Sequence, residues 1–292
     1  MHIVRISTIF LLGLASLSAG HPDEDKRTIQ QIFEYELAHG ASYRNLKSLC
    51  KDVGARLSGS ENAEKAVMWA KNKLVAMDLD SVYLQAVKVP HWVRGEEEYG
   101  EILVEGDALP VPIIALGGSV GTGKKGLIAN VVEVHSFEEL DSLGVEQVQG
   151  KIVFFNRPMD PKEIFTFKAY SEAVDQRGGG AIAASKHGAV GVLVRSMTLD
   201  VDDHPHTGTM RYEEGVNKIP GAAISTKAAN FLSGMLKGSK NVKFYMNMSC
   251  ETLPEVESHN VIAEIRGSKY PDEIIVVSGH LDSWDVGEGA HD

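Results

Sequence analysis

The stretch Glu273–Asp292, EIIVVSGHLDSWDVGEGAHD, decides how the rest of the chain is read. Ile274-Ile275-Val276-Val277 is an apolar, β-branched run bounded by Pro271 and Gly279. Its length and composition predict a buried strand. His280 and Asp282 follow at once, then a Gly-rich loop carrying Asp285, Glu288, His291 and Asp292. A loop at a strand end aims side chains into a site while the strand stays rigid. Imidazole and carboxylate donors together suit Zn²⁺ or another first-row dication. Taken singly, each piece has a plainer reading. His-x-Asp is a common surface pair, and Asp285 and Glu288 serve equally well as turn residues or solvated charge.

Working outward, the segment just upstream predicts a strand over Asn260–Arg266, joined to the apolar run by the turn-rich Gly267–Asp272. Val242–Met248 predicts another strand, which we assign to the main domain. Between residues 101 and 240 short apolar strands alternate with Gly-rich turns: Ile102–Val104, Val111–Leu116, Leu127–Val134, Lys151–Phe155 and Ala189–Val194. Ser136-Phe137-Glu138-Glu139 is a capping box that starts a helix, and further helices are predicted over Phe167–His187 and Thr226–Leu236. Before residue 101 the texture is helical. Ile29, Ile32, Phe33 and Leu37 share one helix face, as do Leu46, Leu49, Cys50 and Val53. A strong helix runs from Glu61 to Met77 behind the N-cap candidates Ser58 and Ser60, and residues 82–89 predict a strand.

Gly118–Lys125 nearly spells a phosphate-binding loop. It fails at Lys125, where Ser or Thr would hold Mg²⁺, and it leads into a strand rather than a helix. With 29 Lys and Arg against 40 Asp and Glu, the net charge of −11 argues against nucleic acid and anionic membrane surfaces as partners. An apolar content of 43% is enough for a real core.

The N-terminus reads as an address. Ile6–Leu17 is apolar, Ser18-Ala19-Gly20 supplies small residues for cleavage, and a polar stretch follows. We expect residues 1–20 to be a secretory signal peptide and no segment to span a membrane. Residues 21–41 are either a propeptide or the first helix of the domain. Cys50 and Cys250 are the only cysteines, and both a disulfide and two buried thiols are open to them. Asn247-Met248-Ser249 is a glycosylation sequon.

The whole terminal string, Gly279-His280-x-Asp282-Ser283-Trp284-Asp285-x-Gly287-x-Gly289-Ala290-x-Asp292, resembles the first metal-binding segment of the co-catalytic zinc exopeptidases. The resemblance extends over roughly Ser42–Asp292, through Arg56–Ser60, Val89–Trp92, Arg94–Glu97, Pro205–Gly208 and Gly267–Pro271, and it is greatest to the carboxypeptidase Q group. GKIVFF (150–155), GAVGVLV (188–194) and IPGAAIS (219–225) are similar to a protease-associated domain. The resemblance implies an α/β chain: a zinc-exopeptidase α/β/α domain over 42–100 and 241–292, incomplete here, interrupted by a β-rich protease-associated domain over 101–240.

It further implies two zinc ions per complete site. His280 is a ligand of one, Asp292 the bridging carboxylate, and Asp282 a catalytic-site residue that binds the other nitrogen of the His280 ring. The family's general-base Glu and three further ligands follow this segment, and no upstream residue matches their motifs. Glu288 stands where Gln is usual. The chain is therefore expected to be an N-terminal portion, inactive alone, of a secreted or lysosomal exopeptidase that acts on dipeptides and small peptides and forms a homodimer. A non-enzymatic secreted protein that binds through the protease-associated domain is the alternative.

Overall fold

The computed structural model describes residues 22–239 and 241–291; the proposed signal peptide and Asp292 lie outside the described residues. The chain forms two compact units that divide between Asp52 and Val53. The first contains α1 (Pro22–His39) and α2 (Ser42–Ser48), which runs into a π turn at Leu49–Val53. The apolar face read from the sequence is present on α1, with Ile29, Ile32, Phe33 and Leu37 exposed.

In the second unit α3 (Glu61–Val75) begins where the sequence places it: the Ser60 hydroxyl accepts the Ala63 N–H at 3.1 Å. Ala66 and Val67 are its buried residues, and the helix lies against a two-stranded antiparallel ribbon. That ribbon pairs β1 (Ser81–Val93) with β10 (Glu251–Glu264), from Ser81 opposite Glu264 to Val93 opposite Glu251. A bulge at Val89/His91 shifts its register.

Everything between the two ribbon strands builds one eight-stranded sheet. Its order is β3 (Asp107–Val111), β2 (Tyr99–Val104), β9 (Lys243–Asn247), β5 (Leu127–Val134), β6 (Ile152–Phe155), β7 (Gly191–Arg195), β8 (Gly221–Ile224), β4 (Ile113–Ala115). β5 through β8 run parallel. β3 and β4 are opposite edges, yet only Pro112 separates them in sequence. Neighbouring Cα atoms are about 3.8 Å apart, so the sheet must roll until its two edges adjoin. α4 (Phe137–Val148), α5 (Thr166–Ser171), α6 (Asp175–Lys186) and α7 (Thr226–Gly238) complete the unit.

β6 is buried on both faces, as a continuous apolar run in a parallel sheet should be. Ile152 and Phe154 enter one core with Ile102, Phe244 and Leu232, while Val153 and Phe155 enter the other with Leu140 and Ala181. Truncating either Phe to Ala removes about 3–5 kcal/mol of stability.

Two expectations are corrected here. The strand near residue 243, assigned from the sequence to the main domain, is a middle strand of the rolled sheet, between β2 and β5. Its alternation, with Phe244 and Met246 buried and Lys243 and Asn247 exposed, predicts a half-buried strand but says nothing of which sheet receives it. The second correction concerns Ile274–Val277. It is no strand: its four side chains are 78–93% exposed, and no described residue pairs with it. An apolar run reports what a segment would bury. It does not supply the neighbour.

Candidate metal centre

Beyond that exposed run the chain becomes firmly held, and two arginines hold it. Arg56, only 4% exposed, donates from Nε to Leu281 O (2.6 Å), from Nη2 to Gly289 O (2.7 Å) and from Nη1 to Gly54 O (3.2 Å). Its backbone N–H also meets the Ser283 hydroxyl at 3.3 Å, and its carbonyl accepts the Ser283 N–H at 3.1 Å. Two donor nitrogens of one guanidinium, Nε and Nη2, thus satisfy a carbonyl at each end of the loop. Gly289 has φ +61°, and a Cβ there would lie 2.4 Å from Ser283 Oγ and 2.8 Å from Arg56 Nη1. Only glycine closes the loop over the arginine.

Arg94 grips the middle of the loop. Its Nε and Nη2 reach the two carboxylate oxygens of Asp285 at 2.7 and 2.6 Å, a bidentate pair. Its Nη1 donates to Glu98 Oε1 (2.9 Å) and to Ala115 O (2.8 Å), and its guanidinium lies over the Trp92 ring at 5.2 Å. Burial alone would pull the Arg94 pKa down; Asp285 and Glu98 outweigh it and hold the pKa above the ordinary arginine value. Beside this pair, the Trp284 indole occupies the space that a side chain at Gly117 would need: a Cβ there would lie 2.2 Å from Trp284 Cη2. A cavity of about 440 Å³ opens alongside, lined by Trp92, Arg177, Met210, Asp282 and Trp284 among others.

The structure brings two of the three predicted site residues together. His280 Nδ1 lies 3.0 Å from the Asp282 carbonyl oxygen and 3.1 Å from Asp282 Oδ1. Both neighbours are acceptors, so Nδ1 carries the proton and the lone pair of the neutral ring sits on Nε2. Asp292, the third, lies outside the described residues. Among the described residues, no group of three or more His, Cys, Asp or Glu could hold a metal ion. Glu288 and His291 are exposed, as is Asn247. Cys50 and Cys250 are both free and buried. No described helix is long and apolar enough to cross a membrane.

The sequence names the strings that contain Arg56 and Arg94 but assigns neither side chain a role. Their partners in the loop are about 190 to 230 positions away, beyond any local periodicity. Gly117–Gly121 also has the G-x-S-x-G spacing of a serine nucleophile. Ser119 is fully buried, its hydroxyl donates to Val120 O and accepts the Gly221 N–H, and no helix follows, so it is not a nucleophile.

Comparison with known proteins identifies this assembly. Residues 260–292 match Peptidase family M28. The M28 peptidase precursor of Shewanella amazonensis SB2B superposes with a TM-score of 0.86 at 38% identity, over 92% of this chain and 60% of that one. A zinc aminopeptidase from Bacillus subtilis shares the fold at 19% identity, with a TM-score of 0.56 over 85% of this chain and 52% of that one. The chain is thus similar to peptidase family M28 over its last segment and shares the α/β architecture of the Shewanella peptidase. It is carboxypeptidase Q-like: carboxypeptidase Q of Xenopus laevis is 44% identical over 91% of this chain. The chain spans about half, 54%, of that relative's length.

Proposed function

We propose that this chain carries the first metal-binding segment of a zinc-dependent exopeptidase that acts on dipeptides and small peptides in the secretory pathway. The observation that carries the reading is the His280–Asp282 pair. Asp282 fixes the tautomer and heading of the ring, so His280 presents Nε2 as a metal donor of raised basicity. Imidazole with carboxylates is a donor set that suits zinc, and zinc when bound supplies an activated water and polarises the scissile carbonyl. Asp292 is assigned as the carboxylate shared by two ions. No residue of this chain is assigned to the general base or to the remaining ligands.

The cavity beside Asp282 and Trp284 has a size that suits a small peptide. We assign Asn247, exposed at the end of β9, as a glycosylation site, and we assign residues 1–20 as a signal peptide, with a homodimer as the assembled form. The rolled sheet, with bounds near Tyr99 and Asn247, is assigned as the protease-associated domain.

The test is metal content together with dipeptide hydrolysis in the purified secreted protein extended past residue 292 through the remaining ligands. His280→Ala should remove bound zinc and lower kcat at least 1,000-fold, whereas Asp282→Asn should weaken zinc about 10–100-fold. Hydrolysis that survives His280→Ala with zinc unchanged would sink the assignment.

A further inference from the structure

We propose that the rolled sheet templates the metal loop, with Arg94 as the positioning residue; this rests on the zinc-peptidase reading above. Every fixed point around Arg94 comes from the sheet unit or the segment that leads into it. Glu98 is 7% exposed, accepts from Arg94 and also accepts the Ala115 N–H at 2.9 Å, so the carboxylate is anchored in turn to β4. Ala115 O takes a second bond from Arg94, and Trp92, which supports the guanidinium, donates its indole N–H to Ser119 O at 2.8 Å.

The guanidinium therefore has a fixed position before it meets the loop. Its remaining edge offers two parallel N–H donors, and Asp285 accepts both. One residue earlier, Trp284 seats where Gly117 leaves room, also on the sheet unit. These two contacts lie two and three residues after Asp282 and fix the path of the chain through the middle of the loop. The sheet therefore shares with Arg56, which holds Leu281 and Gly289, the placement of the loop that follows His280. In this arrangement the inserted unit is part of the scaffold of the metal centre as well as a wall of the cavity.

The proposal is tested in the purified protein, extended past residue 292 through the remaining ligands, by zinc affinity (competition with a chelator), hydrogen exchange of the loop amides and thermal melting. Arg94→Lys keeps the charge but loses the planar fork, and Asp285→Asn keeps the shape but loses the charge. Each should weaken zinc binding about 10–100-fold. Each should also speed exchange over Leu281–Ala290 while exchange in β6 stays unchanged. The double variant should be little worse than either single variant, because both break one contact. Gly117→Ala, which touches neither charge, should weaken zinc in the same direction by displacing Trp284.

Unchanged zinc affinity and loop exchange in Arg94→Lys and Asp285→Asn would overturn the proposal. So would a rise in exchange spread evenly over the whole sheet, or strictly additive effects in the double variant. If the unaltered protein took up no zinc, the peptidase reading would fail, while loop exchange would still decide whether Arg94 positions the loop.

Discussion

Two halves of one twenty-residue stretch behave in opposite ways. Ile274–Val277 is the most strand-like segment of the chain by composition, yet it is exposed and unladdered. Leu281–Ala290 is glycine-rich and polar, with the composition of a mobile loop, yet Ser283 is 4% exposed and the loop is tied by six hydrogen bonds, four from the side chains of Arg56 and Arg94 and two to the Arg56 backbone. The difference lies in what each half needs. A strand needs a ladder beside it, supplied by other strands. A loop needs donors for its carbonyls and partners for its charges, and a single buried guanidinium delivers several at once.

This contrast can be attacked from its strong side first. Arg56→Ala strips the donors from the carbonyls of Leu281 and Gly289. It should lower the opening free energy of the loop by about 3 kcal/mol, read as a roughly 100-fold or greater rise in amide exchange over 281–290. Gly289→Ala forces a side chain into a left-handed residue and against Ser283. A cost of about 2–3 kcal/mol in urea unfolding is expected. If either substitution is silent, the loop is held by something other than these contacts.

On the weak side, Val276→Cys should react with a thiol reagent at the rate of a free cysteine. Cys250 serves as the internal contrast: burial pushes its thiol up to about 11, so it stays protonated and slow through pH 9. The sign for stability follows. An unfolded cysteine titrates near 8.5, so the folded state's preference for the neutral thiol is fully present below that pH and is lost as pH rises toward 11. The smallest effect belongs to Val276→Ser, which should change the melting free energy by less than about 0.5 kcal/mol. A cost of 2 kcal/mol or more would mean that the run is paired in solution, and the contrast would collapse.

What the sequence made legible was local. The Ser60 and Ser136 caps lie where side-chain chemistry put them, because an N-cap is decided by residues three positions apart. The strands 127–134 and 152–155 were legible because each buries enough apolar surface to show in its own composition. The pairing of His280 with Asp282 was implied by the family resemblance; the local pattern alone reads equally well as a surface pair. The rest depended on contacts across the chain. β9 reads as a strand from its alternation, but its place in the rolled sheet depends on β2 and β5. Val111–Leu116 reads as one apolar run, yet Pro112 has no N–H to give a ladder and divides it between opposite edges. Arg56 and Arg94 lie in strings that carry the resemblance, but nothing local assigns either side chain a partner in the loop.

The ribbon of β1 and β10 bears on the order in which the chain assembles. Val93 and Glu251 are partners in register, although the whole rolled sheet separates them along the chain. Zipping such distant segments directly would require a large loop to close by chance, which is slow. Once the intervening sheet has condensed, β2 and β9 lie side by side and bring the two ribbon strands to the same place. The effective separation then shrinks to a few residues, and the ribbon extends from Val93 and Glu251 toward Ser81 and Glu264 like a hairpin whose turn is an entire folded unit. Substitutions at the base of that hairpin should therefore slow refolding more than those at its far end, where pairing forms last.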